Sequence, residues 1–246
     1  MLSHFVTLPC GLHKRKRFTM ETEILLNPQW QHSADYRLYQ GAREIELIYL
    51  QNRPFCVVPE ASTNRADGPE TIQAQNRAAL DVLENDHADH FFTIGGESTA
   101  DLASILLASE RCHGDLAILW LDHTPCDLVA ARAGLSNKQG LQGTQIVTPH
   151  SFPATADALL AVCADALQQA SKTYVYVHLG VTLLQAKEIP SPAATLHGGI
   201  AAETLLSVLH ELQQQYRIAG ASLTGYLPCG KWSPALDRIL AWGETL

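Results

Sequence analysis

Positive charge, long apolar runs and paired cysteines are all scarce in this sequence. The 17 Lys and Arg residues are outnumbered by 25 Asp and Glu, which gives a formal net charge of −8 at pH 7. A basic face for binding nucleic acid is therefore not expected. Apolar runs such as Leu116–Leu121 are far short of the roughly 20 residues that a membrane helix needs. We expect neither a nucleic-acid partner nor a membrane.

The cysteine pattern indicates a reducing compartment. The six cysteines are scattered along the chain and form no Cys-x-x-Cys pair, unlike the disulfide framework of a small secreted protein. No basic segment precedes the apolar residues at the N-terminus, so a secretory signal peptide is not predicted. We therefore expect a cytoplasmic protein.

Length and composition predict a single globular domain. Hydrophobic residues make up 46% of the 246 residues and charged residues 17%. The only methionine besides Met1 is Met20. We interpret residues 1–19 as an N-terminal extension, expected to be disordered, and residues 20–246 as the domain.

Short β-branched runs alternate with longer segments of helical periodicity. The predicted strands are Glu23–Leu26, Phe55–Val58, Phe91–Ile94, Leu116–Leu121, Thr144–Val147, Tyr174–Leu179 and Ser222–Leu227. The predicted helices are Tyr36–Leu50, Pro69–Glu84, Ala100–Arg111, Thr155–Ser171, Ala201–Tyr216 and Pro234–Trp242. This alternation predicts an α/β fold of three layers, with a central, mostly parallel sheet between helices.

Ligands of such sheets bind beyond the carboxyl ends of the strands, so the residues that follow each strand are the candidates for a site. After the third strand, Gly95-Gly96 predicts a tight turn, and Ser98 with Asp101 predicts a capping box for the next helix. Phosphate binding is not favoured there, because both glycine-rich phosphate motifs are absent.

Metal-ligand residue types follow the fourth strand. His123-x-x-Cys126 has the spacing of half a zinc site, although Asp122 capping a turn beside an incidental His and Cys is the commoner arrangement. Strand alternation places Tyr176, His178, Gly180 and Thr182 on one face. For His178, a buried and hydrogen-bonded role is favoured over metal ligation.

Taken together and in order, these segments resemble the arginase/agmatinase (ureohydrolase) family. That family is marked by Gly-Gly-Asp-His-Ser, Asp-Ala-His-x-Asp, Ser-x-Asp-x-Asp, a Gly-Gly-Leu loop and a late acidic residue before a segment ending in Asn-Pro. The corresponding stretches here are Gly95–Thr99, Asp122–Cys126, His178–Thr182, His197–Ile200 and Gly225–Pro228. The resemblance extends from about Glu23 to Leu240, and it implies the arginase fold and an oligomer.

The departures from the family pattern concern its metal site. The family holds two manganese ions with two His and four Asp. At those six positions this chain has Ser98, Asp122, Thr124, Cys126, Gly180 and Thr182. A one-residue insertion would let Asp127 replace Cys126, which leaves Asp122 and Asp127 as weak candidate ligands. The acidic residue that grips the guanidinium group falls on Gly225, and the stretch between Asp127 and Gly180 is several tens of residues shorter than in the family.

Three hypotheses follow. In the first, the protein has lost the dimanganese centre and ureohydrolase activity, has no cofactor, and acts by binding a small ligand, itself or an active arginase-like relative. In the second, it is a hydrolase: either a manganese enzyme acting on a guanidino or amidino C–N bond, or one with a rebuilt site. The rebuilt site would hold one zinc on Asp122, His123, Cys126 and His178, or would use Cys126 as a nucleophile with His123 or His178 as its base. In the third, the chain has a different α/β fold, such as a dinucleotide-binding one.

Overall fold

The computed structural model describes residues 21–31, 33–61, 69–125, 141–194 and 199–246. The predictions for residues 1–19, Cys126, Asp127 and His197 lie outside these ranges. The strands are β1 (Thr22–Asn27), β2 (Cys56–Val57), β3 (His90–Gly95), β4 (Leu116–Leu121), β5 (Gln145–Val147), β6 (Tyr174–Gly180) and β7 (Arg217–Thr224). The helices are α1 (Tyr36–Tyr49), α2 (Pro69–Asn85), α3 (Leu102–Arg111), α4 (Ala156–Ala170), α5 (Ala202–Gln215) and α6 (Pro234–Gly243), with a short 3₁₀ helix at Val181–Leu183.

The seven strands form one sheet in the order β2-β1-β3-β7-β6-β4-β5, and every neighbouring pair is parallel. Helices α1, α4, α5 and α6 pack in one hydrophobic cluster on one face of the sheet. Helices α2 and α3 cover the other face. The predicted three-layer α/β fold with a central parallel sheet is confirmed.

The burial of strand β4 on both faces explains why its sequence is a continuous apolar run. All six of its residues are buried. Leu119 and Leu121 belong to the cluster on one face of the sheet, whereas Ile118 and Trp120 belong to the cluster under α3. A strand covered on both faces has no solvent-facing position for a polar side chain.

Two local predictions are wrong. Strand β7 is Arg217–Thr224 rather than Ser222–Leu227. Its start pairs with β6 directly after α5, and Gly225, with φ of +79°, takes the chain out of the extended conformation. The capping box does not form either: Asp101 is the N-cap residue of α3 but makes no capping hydrogen bond with its side chain.

The parallel arrangement brings the carboxyl ends of the central strands to one edge of the sheet. There β3 leads into the Gly95-Gly96 turn, β4 into Asp122 and β7 into Gly225. The Gly225 N–H donates to the Gly96 carbonyl at 2.7 Å, which joins two of these loops. Within the described ranges, every helix is too short or too polar to cross a bilayer.

Candidate ligand site

A cavity of about 280 Å³ opens at the carboxyl edge of the sheet. Five of the positions that the sequence singled out contribute to its lining, namely Ser98, Asp122, Thr124, Thr182 and Gly225. The opposite wall comes from the β1–α1 loop and the start of α1, through Ser33, Asp35 and Leu38. We call this space the carboxyl-edge cavity.

The Asp122 carboxylate accepts three hydrogen bonds at the cavity floor. Oδ1 accepts hydrogen bonds from the Thr124 N–H at 2.9 Å and from the Thr182 hydroxyl. Oδ2 accepts a longer bond from the Ser98 hydroxyl at 3.3 Å. Only 4% of Asp122 is exposed. These bonds direct the carboxylate inward and leave it little contact with the cavity.

Gly180 allows this inward position. A Cβ atom built on Gly180 would overlap the carboxyl carbon of Asp122 and both of its oxygens. Any side chain at residue 180 would therefore have to displace Asp122 from its place against β6. The inward position of Asp122 therefore requires glycine at residue 180.

Beneath Asp122, a row of side chains crosses four strands on the α3 face of the sheet. Cross-strand pairing aligns Thr93 with Ser222, Ser222 with His178, and His178 with Trp120. The Trp120 indole stacks on the His178 imidazole with centroids 3.5 Å apart and planes 3° apart. The indole N–H donates to the Thr124 carbonyl at 2.8 Å, so the row also supports the loop that lines the cavity.

The His178 ring lies between two buried carboxylates. Nδ1 donates to Asp101 Oδ2 at 2.7 Å, and Nε2 lies 3.5 Å from Asp122 Oδ2. The Ser222 hydroxyl donates to the same Asp101 oxygen. Asp101 has 1% of its surface exposed and His178 none. Two carboxylates in such an environment need a positive partner, and the imidazolium supplies it.

The pKa values reflect this charge balance. Burial favours the neutral ring, but the Asp101 charge and hydrogen bond, together with Asp122, outweigh it and raise the pKa of His178 to about 9. Burial likewise raises the pKa of Asp122, yet His178, Thr124 and Thr182 more than offset it, so the net shift is downward. The ring is therefore protonated at neutral pH and Asp122 is ionised.

Glu97 closes the side of the cavity next to the β1–α1 loop. Its Oε1 accepts from the Gln29 amide and the Thr99 hydroxyl, each at 3.1 Å, and Oε2 accepts from the Ser33 N–H at 2.7 Å. Glu97 is 4% exposed and holds the loop against the sheet. Its oxygens are engaged in that structural role.

Hydroxyl groups are the commonest polar groups in the cavity lining, beside the carboxylates of Asp35, Glu97 and Asp122. Ser33, Ser98, Thr99, Thr124 and Thr182 all line it, and its described lining contains no Lys, Arg or His. A general base works best with a pKa near the working pH, and the lowered pKa of Asp122 makes it a weak one. Ser98 is thus paired with a carboxylate that accepts its hydrogen bond but is poorly suited to remove its proton.

The remaining candidate residues are separated from one another. His123 is exposed, and its ring meets Phe152 edge to face with centroids 5.4 Å apart. His178 is buried behind Asp122, so the structure brings Asp122 and His178 together and leaves His123 outside. Cys126 and Asp127 lie beyond the described ranges.

Sequence reasoning did not single out Trp120, Ser222 and Thr224, which complete the surroundings of His178. The Thr224 hydroxyl is 3.4 Å from Nε2. One signal was available: Trp120 and Asp122 are two residues apart and so share a face. The contacts themselves depend on the cross-strand register, which a single sequence does not reveal.

In the described part of the chain, one group of residues has metal-ligand geometry, and it lies away from the cavity. It consists of Glu23, Cys56 and Asp86, whose ligand atoms lie within 4.8 Å of one another. Glu23 and Cys56 come from β1 and β2, and Asp86 follows α2. None of the family's metal positions is part of this group.

Comparison with solved structures identifies the architecture. The arginase of Entamoeba histolytica in complex with L-ornithine superposes with a TM-score of 0.64 at 12% identity, over 92% of this chain and 97% of that one. The chain has the arginase fold. The formimidoylglutamase of Bacillus subtilis gives 0.63 at 13% identity (96% and 94% covered), and the proclavaminate amidino hydrolase of Streptomyces clavuligerus gives 0.62 at 16% (92% and 89%).

The similarity to these solved structures establishes the fold of the chain. The hypothesis of a different α/β fold with an accidental resemblance is wrong, because arginase-fold proteins match over nearly the whole chain. No protein-family model matches the sequence, and no curated protein sequence matches it.

Alkaline pH is expected to weaken this arginase-fold domain. In the folded protein the pKa of His178 is raised from its ordinary value of 6.5 to about 9, so the ring keeps its proton to a higher pH than it does in the unfolded chain. Its stabilising contribution is therefore complete below pH 6.5 and is lost as the pH rises through about 9. A shift of this size corresponds to about 3 kcal/mol. Urea unfolding between pH 6 and about 10 measures the loss.

His178→Gln should lower the unfolding free energy at pH 7 and remove most of this pH dependence. His123→Gln is the matched control, because His123 is exposed and close in sequence to Asp122. It should keep the wild-type profile. The same profile in all three proteins would contradict a charged His178.

The fit between Gly180 and Asp122 is testable by a double-mutant cycle. Gly180→Ala should destabilise the fold by about 1–3 kcal/mol, because the new Cβ overlaps the Asp122 carboxyl group. In an Asp122→Ala background this cost should shrink by about 1 kcal/mol or more. Gly225→Ala is the control, since a Cβ there meets nothing within 4 Å and only the positive φ opposes it. Additive effects of Gly180→Ala and Asp122→Ala would refute the contact.

Proposed function

We propose that this chain is an arginase-fold protein without the dimanganese centre, which binds a ligand in the carboxyl-edge cavity and does not hydrolyse it. The observation that carries the proposal is the inward Asp122 carboxylate. It is the one family metal ligand kept among the described positions, and it is engaged by Thr182, Thr124 and His178.

The residues present do not fit two manganese ions. At the described family positions, Ser98 and Thr182 offer hydroxyls that already donate to Asp122. Gly180 offers no donor, and a ligating side chain there would collide with Asp122. First-row divalent cations held by oxygen and nitrogen need several ligands at once. One carboxylate beside neutral hydroxyls does not supply them.

The charge balance supports the same proposal. Carboxylates gathered at one site repel one another unless a cation lies between them. In this chain, His178 occupies the position between Asp101 and Asp122. A divalent ion close to Asp122 would have to compete with a fixed positive ring 3.5 Å away.

Loss of the metal pair removes the means of hydrolysis. Attack on a guanidinium carbon needs a hydroxide that the metal pair generates and positions. The hydroxyl groups that line the cavity can hold a polar ligand by hydrogen bonds, and the ionised Asp122 keeps those of Ser98 and Thr182 in place. Function then resides in binding, either of a small ligand or of another protein, such as a second copy or an active arginase-like relative.

Metal content after soaking tests the proposal. The full chain is purified without chelator, incubated separately with manganese and with zinc, desalted and measured by elemental analysis. We expect less than about 0.1 manganese per chain, because one engaged carboxylate is not a manganese site. Arginine and agmatine should yield no urea. Two manganese per chain with urea release would overturn the proposal.

A Cys56→Ser variant is the control for zinc, because Glu23, Cys56 and Asp86 form a possible second site. Zinc that this variant no longer retains belongs to that group and leaves the proposal intact. One zinc per chain that persists in Cys56→Ser and disappears in Cys126→Ala would favour the rebuilt site instead.

A further inference from the structure

A second and larger cavity opens at the opposite, amino-terminal edge of the sheet. Its volume is about 810 Å³, within the range of small-molecule sites in proteins. The starts of β3, β6 and β7 form its floor, and the ends of α3 and α5 form its walls. It shares no lining residue with the carboxyl-edge cavity. We call it the amino-edge cavity.

The interior of the amino-edge cavity is largely apolar and aromatic. Ala108 of α3 and Ala219 of β7 line it on the α3 side of the sheet, whereas the buried Ile218 packs on the other side. The half-buried side chains of Tyr174 and Tyr216 line it at the starts of β6 and β7. On the α3 side, the small side chains of Ala108 and Ala219 beside the Tyr174 ring leave room for a flat apolar group.

Two guanidinium groups line the same space, and neither has a carboxylate partner among the described residues. The Arg111 carbon Cζ lies 5.2 Å from the Phe91 ring centroid, and its Nη1 donates to the Ala88 carbonyl at 2.9 Å. The Arg217 Cζ lies 5.9 Å from the Tyr174 ring centroid. All the arginine–carboxylate ion pairs of the described chain involve other arginines.

The lining offers these guanidinium groups little internal compensation. Asp89 is the only acidic side chain in the described part of its lining, and the carboxylate accepts a hydrogen bond from the Glu21 N–H at 3.2 Å rather than pairing with an arginine. Arginine binds carboxylates through two parallel N–H donors, and each ring beneath a guanidinium group holds the donors in place. Leu246, the last residue of the sequence, also lines the cavity, and the described ion pairs include neither Arg111 nor Arg217.

We propose that the amino-edge cavity binds a small aromatic carboxylate. Ala108, Ala219 and the Tyr174 ring would take the flat body of the ligand, and Arg217, with Arg111, its carboxylate. Such a site is independent of the carboxyl-edge cavity, since the two lie at opposite edges of the sheet. It gives the protein a ligand-binding function that does not depend on the presence or absence of metal.

The test uses the full ¹⁵N-labelled chain and 1-naphthoate as the probe. Amide shifts during titration should be saturable and centred on residues 108, 111, 112 and 217–219. Arg217→Gln should weaken binding by about tenfold or more, because a charge-assisted hydrogen bond to the carboxylate is lost. The neutral analogue 1-naphthalenemethanol should bind wild type at least about tenfold more weakly for the same reason.

Arg238→Gln is the matched control, because Arg238 is an exposed arginine on α6 that pairs with Glu203 and does not line the cavity. It should bind naphthoate as the wild type does, and both variants should unfold at the wild-type urea concentration. No saturable shift at millimolar probe would overturn the proposal. So would equal affinity for the neutral alcohol, an unchanged affinity in Arg217→Gln, or shifts centred on Thr182 and Gly225.

Discussion

Two carboxylates and one imidazolium lie together in the interior of this protein, and the neighbouring structure depends on their charge balance. Asp101 lies at the N-terminus of α3, Asp122 directly follows β4 and His178 comes from β6, so the triad ties the helix layer to two strands. Removal of the central positive ring would leave two buried anions without a counter-charge, which is among the most destabilising changes a core can suffer. The stacked Trp120 and the hydroxyls of Ser222 and Thr182 keep the three groups in register.

This arrangement explains several departures from the ureohydrolase pattern as one change. A side chain at Gly180 is incompatible with the inward Asp122, and the inward Asp122 is stabilised by His178 and by the hydroxyl of Thr182. Under the proposed function, these residues favour one another, and their internal bonds occupy the place that the resemblance assigns to metal ligands. The arginase fold does not depend on these residues. Its hydrophobic core lies in the clusters between the helices and the sheet, to which Asp122, Gly180 and Thr182 do not belong.

Much of the fold could be predicted from periodicity, because strands covered on both faces and helices packed on one side leave distinct apolar patterns. The predicted ends of the helices lie within two residues of the observed ends. The start of β7 was not predicted, because Arg217–Ala221 follows α5 without a turn. The buried, hydrogen-bonded position favoured for His178 is the one observed. The partners of His178 could not be predicted, since Asp101 looked like a cap and Ser222 is a neighbour only through the register of β6 and β7.

The central claim is that Asp122 is committed to a protonated His178 and not to a metal. The most direct measurement is the ¹⁵N NMR spectrum of the His178 ring at pH 7, recorded with and without added manganese. Both ring nitrogens should be protonated, and paramagnetic manganese should leave their signals unbroadened. A neutral ring, or ring signals that disappear when manganese is added, would contradict the claim and restore a metal to this site.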